Sequence, residues 1–339
     1  MSSPKALDLG GIHHVTAVTS DAHANHMFYT GILGLRLVKK TVNQDDVSAY
    51  HLFYADGAGS AGTDMTFFVW PAAPERRGTR SIARTGLWVG DARSLAWWQE
   101  RFRASGVVHA PIVERDGRPT LDFEDPEGQR FCMVAAGHDT EPAHPWPRSP
   151  VPLEHQIRGL GPVTISVPDL APTERVLTEV MAMTRVRTYA AGAGATAQTH
   201  VFQMGGNGPG AELHVVVEPG APAARHGAGG VHHVAFRTTD DAYMAWADRL
   251  QQTGMRSSGP IDRYYFRSLY FREPGGILFE IATDGPGFAV DEPMETMGQG
   301  LSLPPFLEPR RRDIEAGLKP LQSADWVNRG GTRWSWRRR

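Results

Sequence analysis

Alternation between apolar and polar positions divides most of the chain into four similar stretches. Each opens with a short apolar run typical of a β-strand, continues with apolar residues at helical spacing, and ends in alternating runs broken by Gly-rich turns. The alternating part is clear in "AYHLFYAD", "PTLDFEDPEGQRFCMV", "THVFQMGG" and "RSLYFREPGGILFEIA". This pattern predicts a βαβββ order for four modules, at about residues 11–70, 84–137, 157–218 and 229–284.

The four modules share one register. An early position in each opening strand stands seven residues ahead of an aspartate, and these positions are His14, Arg84, Pro162 and His233. A carboxylate at that place can accept hydrogen bonds from the N–H groups of a first helical turn. The register therefore predicts helix N-caps at Asp21, Asp91, Asp169 and Asp240. The turns in "DPEGQRF" and "EPGGILF" also resemble each other, so we expect one hairpin type in both.

The repeat divides the chain of 339 residues into two halves and an extension. Residues 1–150 hold the first two modules, residues 151–290 hold the last two, and the Pro-rich stretch 138–158 is a natural linker. Residues 291–339 fall outside the repeat as a C-terminal extension. Because short strands and helices alternate within each module, we predict an α+β protein.

Composition and charge indicate an ordinary globular protein. Hydrophobic residues make up 41% of the chain, charged residues 21%, and the formal net charge is −2. These values argue against disorder and against nucleic-acid binding, and we interpret the basic end "GGTRWSWRRR" as solvated or packed. With no signal sequence and no long apolar run, we expect a cytoplasmic protein that does not bind a membrane. A homo-oligomer is compatible with this composition.

Histidines and carboxylates are the candidate metal ligands. The single cysteine, Cys132, excludes a disulfide framework and a multi-cysteine zinc site. A histidine pair heads the opening strand in "GIHHVT" of the first module and in "GVHHVAF" of the fourth. Because adjacent strand residues point to opposite faces, one histidine of each pair can face a shared interior. His14 shares the more polar face with Thr16, whereas His13 shares a face with Val15.

Glu280 is the candidate carboxylate. It lies in the otherwise apolar closing strand "GGILFEIA", where an unpaired carboxylate would be costly to bury. The matching position is Cys132 in the second module and is close to Thr66 in the first, so no fourth ligand is offered. Two histidines and one carboxylate with open positions are typical of non-haem Fe(II) oxygenases, which bind a substrate and O2 side by side.

The remaining histidines are weaker candidates. His23 and His26 lie three residues apart on the first predicted helix, and we expect both to be exposed to solvent. His200 and His214 fall in strands of the third module without a matching carboxylate, and we expect structural roles for them.

These residues and motifs resemble the vicinal oxygen chelate superfamily, which includes glyoxalases, bleomycin resistance proteins and extradiol dioxygenases. The similarity is greatest to the dioxygenases that cleave the ring of hydroquinone, chlorohydroquinone or methylhydroquinone. It extends over about residues 10 to 310 and rests on "GIHHVT", "YHLFYAD", "PLEHQIRG", "GVHHVAF" and "SLYFREPGGILFE".

The resemblance implies a fold, a cofactor and a site. It implies open barrel-like sheets that pair module 1 with module 4 and module 2 with module 3, with the metal between modules 1 and 4. It implies Fe(II), with Mn(II) as a possible substitute, bound by His14, His233 and Glu280. It also implies that five further residues line or support the site, namely His13, His232, Thr16, Arg263 and Tyr270. Tyr264 departs from the family pattern, which has glycine in a chlorohydroquinone-cleaving relative, so the pocket shape does not follow from the resemblance.

The function expected from the resemblance is Fe(II)-dependent opening of a para-hydroquinone ring beside a hydroxyl-bearing carbon, with small aromatic compounds and O2 as partners. Three alternatives remain open at this stage. A catechol extradiol dioxygenase shares the same ligands. A glyoxalase-like isomerase would need a second carboxylate near Thr66, and a non-catalytic aromatic-binding resistance protein would need no metal ligands.

Overall fold

Two curled β-sheets carry most of the fold. The computed structural model describes residues 7–137, 144–190 and 197–321 of the chain, and within these ranges each sheet has eight strands. The predicted α+β class is confirmed. The basic end of the sequence and part of the linker lie outside the described residues.

The strands follow the repeat along the chain. The first two modules contribute β1 (Ile12–Thr19), β2 (Arg36–Val42), β3 (Tyr50–Ala55), β4 (Asp64–Val69), β5 (Ser81–Val89), β6 (Val113–Arg115), β7 (Arg118–Glu124) and β8 (Arg130–Ala135). The last two contribute β9 (Gly159–Val167), β10 (Thr184–Ala190), β11 (Gln198–Gln203), β12 (Glu212–Val217), β13 (Val231–Thr238), β14 (Ile261–Asp262), β15 (Arg267–Arg272) and β16 (Leu278–Thr283).

Each sheet joins two modules, and both sheets do so in the same way. The first sheet has the order β14-β15-β16-β13-β1-β4-β3-β2 and combines strands from residues 11–70 and 229–284. The second has the order β10-β11-β12-β9-β5-β8-β7-β6 and combines strands from the two middle modules. At the centre of each sheet two opening strands pair antiparallel, β1 with β13 and β5 with β9. The two histidine pairs are thereby brought side by side.

The helices are short and sit between the first and second strand of each module. They are α1 (Ala22–His26), α2 (Ala92–Ser105), α3 (Leu170–Arg175), α4 (Tyr243–Gln252) and, in the extension, α5 (Arg311–Gly317). In the first and third modules the helix widens into a π-helical turn, at Met27–Ile32 and Val176–Val180. Among the described residues, none of these helices has the length and hydrophobicity that a transmembrane span requires.

Three of the four predicted helix caps are present. Asp21, Asp91 and Asp169 each accept a hydrogen bond from a backbone N–H in the first turn of the following helix. The prediction for Asp240 was wrong, because α4 begins three residues later, after Ala242. The carboxylate of Asp240 instead accepts from the guanidinium of Arg267 at 2.6 Å.

The two hairpin turns share one hydrogen-bond pattern. In "DPEGQ" the N–H of Asp125 donates to Gln129 and the N–H of Gly128 donates back to Asp125. In "EPGGI" the N–H of Glu273 donates to Ile277 and that of Gly276 donates back to Glu273. Both glycines have a positive φ, 86° for Gly128 and 94° for Gly276, where a side chain would be strained.

The described part of the C-terminal extension packs against the first sheet. The ammonium of Lys39, on β2, is fully buried and pairs with Asp291 and Glu292. Next to it, the rings of Phe53 and Phe288 lie 5.0 Å apart. A separate apolar cluster joins Val42 to residues of the extension, namely Leu303, Leu307, Ile314 and Leu318. The extension therefore covers the β2 and β3 side of the first sheet.

Candidate metal centre

Three buried side chains from adjacent strands converge in the first sheet. His14 lies on β1, His233 on β13 and Glu280 on β16, and their side chains are exposed by 4% or less. The two Nε2 atoms of the histidines are 3.3 Å apart. Oε2 of Glu280 lies 3.1 Å from Nε2 of His14 and 3.0 Å from Nε2 of His233. The structure thus brings the three predicted ligands together.

The spacing of these three atoms fits a metal ion. Ligand atoms about 2.1 Å from a metal lie about 3.0 to 3.4 Å from one another for angles between octahedral and tetrahedral. Oε2 of Glu280 is buried and has no aligned hydrogen-bond donor among the described residues. A buried carboxylate oxygen without a partner is costly, and a divalent cation bound by all three atoms would remove that cost.

The charge state of the cluster also suits a cation. The hydroxyl of Ser268 donates to Oε1 of Glu280 at 2.5 Å and fixes the orientation of the carboxylate. Burial alone would raise the pKa of Glu280, but the contacts with His14 and His233 hold that pKa well below its ordinary value. Burial lowers the pKa of His233. An ionised carboxylate and a neutral imidazole are the forms that bind a cation.

Thr66 occupies the place of a fourth protein ligand. In the first module Thr66 pairs with Thr16, two residues after His14, just as Glu280 lies beside the strand position two residues after His233. The two positions are therefore equivalent, but one carries a hydroxyl and the other a carboxylate. Oγ1 of Thr66 lies 2.7 Å from Oγ1 of Thr16, so the two hydroxyl groups form a hydrogen bond with each other. A metal bound here would keep coordination positions open.

The first histidine of the pair on β1 orients the second. Nε2 of His13 lies 3.1 Å from the carbonyl oxygen of Thr283, which can only accept, so this nitrogen carries the proton. Burial lowers the pKa of His13 to about 3, which keeps the ring neutral and makes its Nδ1 an acceptor. That Nδ1 lies 2.9 Å from Nδ1 of His14. His14 therefore donates from Nδ1 and presents an unprotonated Nε2 to the metal centre.

The pair on β13 repeats this contact. Nδ1 of His232 lies 2.8 Å from Nδ1 of His233, and burial lowers the pKa of His232 to about 3. The ring of His232 packs edge-on against Phe68 and Trp70. Each ligand histidine is thus held through Nδ1, which leaves Nε2 for the metal.

A cavity opens beside the triad. His14 and His233 form part of its lining, and the rings of Phe53, Phe68 and Phe266 form much of its wall. The ring of Phe266 lies 5.1 Å from that of His14. Aromatic walls with a few polar groups are suited to a flat, small organic ligand.

Arg263 and Tyr270 lie on the fourth-module side of this cavity. The guanidinium of Arg263 pairs with the carboxylate of Asp45 at 3.1 and 2.9 Å and lies 5.4 Å from the centre of the Tyr270 ring. The Tyr270 ring is 5.7 Å from that of His233. Burial raises the pKa of Tyr270, so its hydroxyl stays protonated and able to donate. With these two, all eight predicted site residues surround one centre.

His51 is a cavity residue that the sequence pattern did not reveal. It lies on β3, and its Nε2 is 3.0 Å from Oγ1 of Thr66. Its ring lies 4.0 Å from that of Phe53 and 4.4 Å from that of Phe68. The alternation in "AYHLFYAD" places His51 and Phe53 on one face, but a single strand histidine is too common to indicate a site.

A second group of candidate ligands lies in the second sheet. Asp116, Glu212 and His214 approach one another closely, and Nε2 of His214 lies 3.0 Å from Oε2 of Glu212. The expectation that His214 lacks a carboxylate partner was therefore wrong. Arg118 and Arg187 each pair with both carboxylates and occupy the oxygens that a cation would need. The group is an ion-pair network rather than an open set of ligands.

The two histidines of the first helix differ from each other. His23 is exposed, as predicted. The prediction for His26 was wrong, because its ring packs against Tyr54 and its Nδ1 is buried without a partner among the described residues. Burial lowers its pKa to about 4.

Sequence comparison identifies the superfamily to which the chain belongs. Residues 11–133 and 159–281 each match the sequence profile of the Glyoxalase/Bleomycin resistance protein/Dioxygenase superfamily. The chain belongs to this superfamily. The resemblance inferred from the histidine pairs and the hairpin turns is confirmed.

Similar members of the superfamily cover nearly the whole chain. MhqA of Bacillus subtilis, provisionally named a ring-cleaving dioxygenase, is 45% identical over 318 residues, which is 93% of this chain and 100% of MhqA. A chlorohydroquinone/hydroquinone 1,2-dioxygenase of Sphingobium indicum is 30% identical over 307 residues, 88% of this chain and 92% of that protein. A crystal structure from Bacillus subtilis, provisionally described as a dioxygenase, matches with a TM-score of 0.86 and 36% identity and covers 94% of this chain and 99% of that one.

Tyr264, the departure from the family pattern, lies outside the wall of the cavity. Its φ is 71°, in the left-handed region that glycine adopts without strain. Its ring packs against that of Tyr265 at 5.2 Å, and it is the neighbouring Tyr265 and Phe266 that line the cavity.

Proposed function

We propose that this protein is a dioxygenase that opens the ring of para-hydroquinones beside a hydroxyl-bearing carbon, with O2 as co-substrate and Fe(II) as the working metal. The observation that carries the proposal is the buried triad of His14, His233 and Glu280, with Thr66 in place of a fourth ligand, beside an aromatic cavity. The names of the relatives support the same reaction class. Mn(II) suits the same ligands and is the second candidate ion.

The triad would hold the metal through two imidazole nitrogens and one carboxylate oxygen. When bound, Fe(II) would lower the pKa of a phenol hydroxyl beside it and supply electrons for the reduction of O2. His13 fixes the tautomer of His14 through the Nδ1 contact, and His232 makes the equivalent contact with Nδ1 of His233. The protein therefore presents its ligand atoms in the form that binds, without a proton to displace at Nε2.

The cavity walls would hold and orient the substrate ring. Phe53, Phe68 and Phe266 provide an apolar surface that excludes water and limits the ring to a flat approach. The protonated hydroxyl of Tyr270 can donate a hydrogen bond to an oxygen of the substrate, and the fixed charge of Arg263 can stabilise negative charge that develops there. Thr16 supports this wall from behind through Thr66.

Oxygen consumption tests the proposal. Full-length protein loaded anaerobically with Fe(II) is mixed with hydroquinone, methylhydroquinone, chlorohydroquinone or catechol in air-saturated buffer, and O2 uptake is recorded. We expect uptake with a hydroquinone, one O2 for each ring opened. In a Glu280→Gln variant, which loses a direct ligand but keeps the shape of the side chain, uptake should fall by about 100-fold or more, since even indirect changes at metal sites cost 10- to 100-fold.

An Asp125→Asn variant is the matched control. Asp125 is also a buried acid, but it lies in the hairpin turn between β7 and β8, outside the cavity. Uptake should survive this change. Uptake with catechol alone would contradict the choice of para-hydroquinones and keep the dioxygenase. No uptake with any of the four compounds, despite bound iron, would contradict the dioxygenase itself.

A further inference from the structure

His51 is held rigidly in the cavity wall. Its ring lies between those of Phe53 and Phe68, with centroids 4.0 and 4.4 Å away. Its Nε2 is tied to Oγ1 of Thr66 at 3.0 Å, and Thr66 is tied in turn to Thr16 at 2.7 Å. Two ring contacts and one hydrogen bond leave the imidazole little freedom to turn, so the direction of its other nitrogen is fixed.

That other nitrogen, Nδ1, has no hydrogen-bond partner in the part of the chain that the structure describes. Polar atoms in protein interiors are nearly always paired, with protein, with water or with a ligand. The ring lines the same cavity as the triad, and its neighbours in the wall are phenyl rings that offer no partner. The partner left for this nitrogen is therefore a molecule in the cavity, either water or a ligand.

Several of the other polar side chains at the mouth of the cavity are already engaged. Oδ1 of Asn43 accepts from the N–H of Asp45, and Nε2 of Gln44 donates to the carbonyl oxygen of Arg263. The guanidinium of Arg263 is paired with the carboxylate of Asp45. Oγ1 of Thr41, on the same side of the cavity, also has no partner among the described residues. A hydroxyl group can rotate to suit its surroundings, whereas the ring of His51 is held between two phenyl rings, so the direction of its free nitrogen is fixed.

His51 lies two strands away from His14 in the first sheet. Its strand, β3, is separated from β1 by β4, and Thr66 on β4 connects it to Thr16, which lies two residues along β1 from His14. Neighbouring strands are about 4.8 Å apart and residues two apart on a strand about 6.7 Å apart. Because His14, His233 and His51 all line this cavity, an aromatic ring with one hydroxyl at the metal can extend its far edge towards His51.

We infer that His51 recognises the hydroxyl that the metal does not hold, and so makes the site selective for 1,4-dihydroxy aromatic compounds. The inference rests on the proposed function. In a 1,4-diol the second hydroxyl lies at the far edge of the ring, whereas in a 1,2-diol it lies beside the first. A neutral imidazole has one donor and one acceptor nitrogen, so His51 can pair with Thr66 and with this hydroxyl at the same time.

Anaerobic binding of hydroquinone and of phenol to the Fe(II)-loaded protein tests the role of His51. Both compounds offer one hydroxyl to the metal, and only hydroquinone has the second. Wild-type protein should bind hydroquinone about 5- to 100-fold more tightly than phenol, the range expected for one buried hydrogen bond. His51→Leu should reduce this ratio to about twofold or less. His51→Asn, which keeps a polar group near the position of Nδ1, should retain part of it.

The ratio of the two affinities separates recognition from a purely structural role, because a damaged fold would weaken the binding of both compounds alike. An unchanged ratio in His51→Leu, with hydroquinone still cleaved by the wild type, would overturn the inference and leave the proposed function intact. A failure of the Fe(II)-loaded wild type to bind hydroquinone would overturn both.

The asparagine variant keeps the inference testable if His51→Leu does not fold. A ratio in His51→Asn that is lower than in the wild type, with the affinity for phenol preserved, supports recognition of the second hydroxyl. Affinities for both compounds that are unchanged, or that fall by the same factor, overturn it.

Discussion

Replacement of His13 by leucine is the change that tests how the ligand histidines are oriented. His13 is 2% exposed and spans the space between the Thr283 carbonyl and Nδ1 of His14. Leucine has a similar size but neither accepts nor donates a hydrogen bond. The variant therefore removes the group that holds the proton of His14 on Nδ1 and leaves the ligands themselves in place.

The expected loss in metal affinity is about 10- to 100-fold. This is the usual effect of removing a hydrogen-bonding partner of a metal ligand. The magnitude agrees with the structure, because the Nδ1–H of His14 loses its acceptor in a buried place, which costs about 1 to 3 kcal/mol, or about 5- to 150-fold in affinity. Without its partner, His14 is also free to carry its proton on Nε2, and in that form Nε2 cannot bind the metal.

Calorimetric titration of metal-free, full-length protein with Mn(II) measures this affinity without interference from air oxidation. His13→Asn should lose less than His13→Leu, because its amide oxygen can still accept from His14. His26→Leu is the matched control, a mostly buried histidine of the same module that lines neither the cavity nor the triad. If His13→Leu binds Mn(II) within about twofold of the wild type, the proposed orientation by His13 is refuted.

Three further outcomes are expected elsewhere in the molecule. Burial raises the pKa of Asp125 to about 7, so the folded state keeps the proton of this carboxyl at pH values where the unfolded state has lost it. The free energy of unfolding should therefore fall by up to about 4 kcal/mol as the pH rises from about 4 to about 7. In urea melts at a series of pH values, Asp125→Asn should remove most of this dependence. Asp64 is buried beside β1, its Oδ1 has no partner among the described residues, and burial raises its pKa well above the ordinary value. Asp64→Asn should therefore raise the melting temperature at pH 8, and a lower melting temperature would contradict this interpretation. Lys39→Met leaves Asp291 and Glu292 without their cation, so limited proteolysis should cut the chain near residues 286–300 faster than in the wild type. Equal rates of cleavage would show that the apolar cluster alone holds the extension against the sheet.

The triad could be predicted from the sequence because it follows from the repeat. His14 and His233 occupy equivalent positions of two opening strands, and Glu280 is the one acid in an apolar closing strand. A repeat makes a long-range contact predictable, since equivalent strands of paired modules lie side by side. The parity of a β-strand then decides which histidine of each pair faces inward.

The sequence did not reveal features that depend on contacts made in one module and not repeated in the others. His51 becomes distinctive only when Phe68 and Thr66 of the neighbouring strand surround it. Asp240 has the register of a helix cap, yet the chain makes a longer turn before α4, and the acid pairs with Arg267 on β15. Local sequence patterns predict local structure, whereas the roles of His51 and Asp240 depend on partners from other strands.

The two sheets show how one architecture solves the same physical problem in two ways. A curled sheet encloses a concave space, and polar side chains that point into it need partners because water is largely excluded. In the second sheet Arg84 and Pro162 stand where the first has His14 and His233, and Cys132 stands at the level of Glu280. There the polar groups satisfy one another as arginine–carboxylate pairs, whereas Glu280 in the first sheet keeps an oxygen that no donor among the described residues meets. A polar network whose groups all pair with one another is stable without a ligand. A site with an unpaired buried oxygen gains stability when a cation binds to it. Metal binding should therefore raise the unfolding temperature of the wild type and leave that of Glu280→Gln nearly unchanged, although both proteins contain the same second sheet.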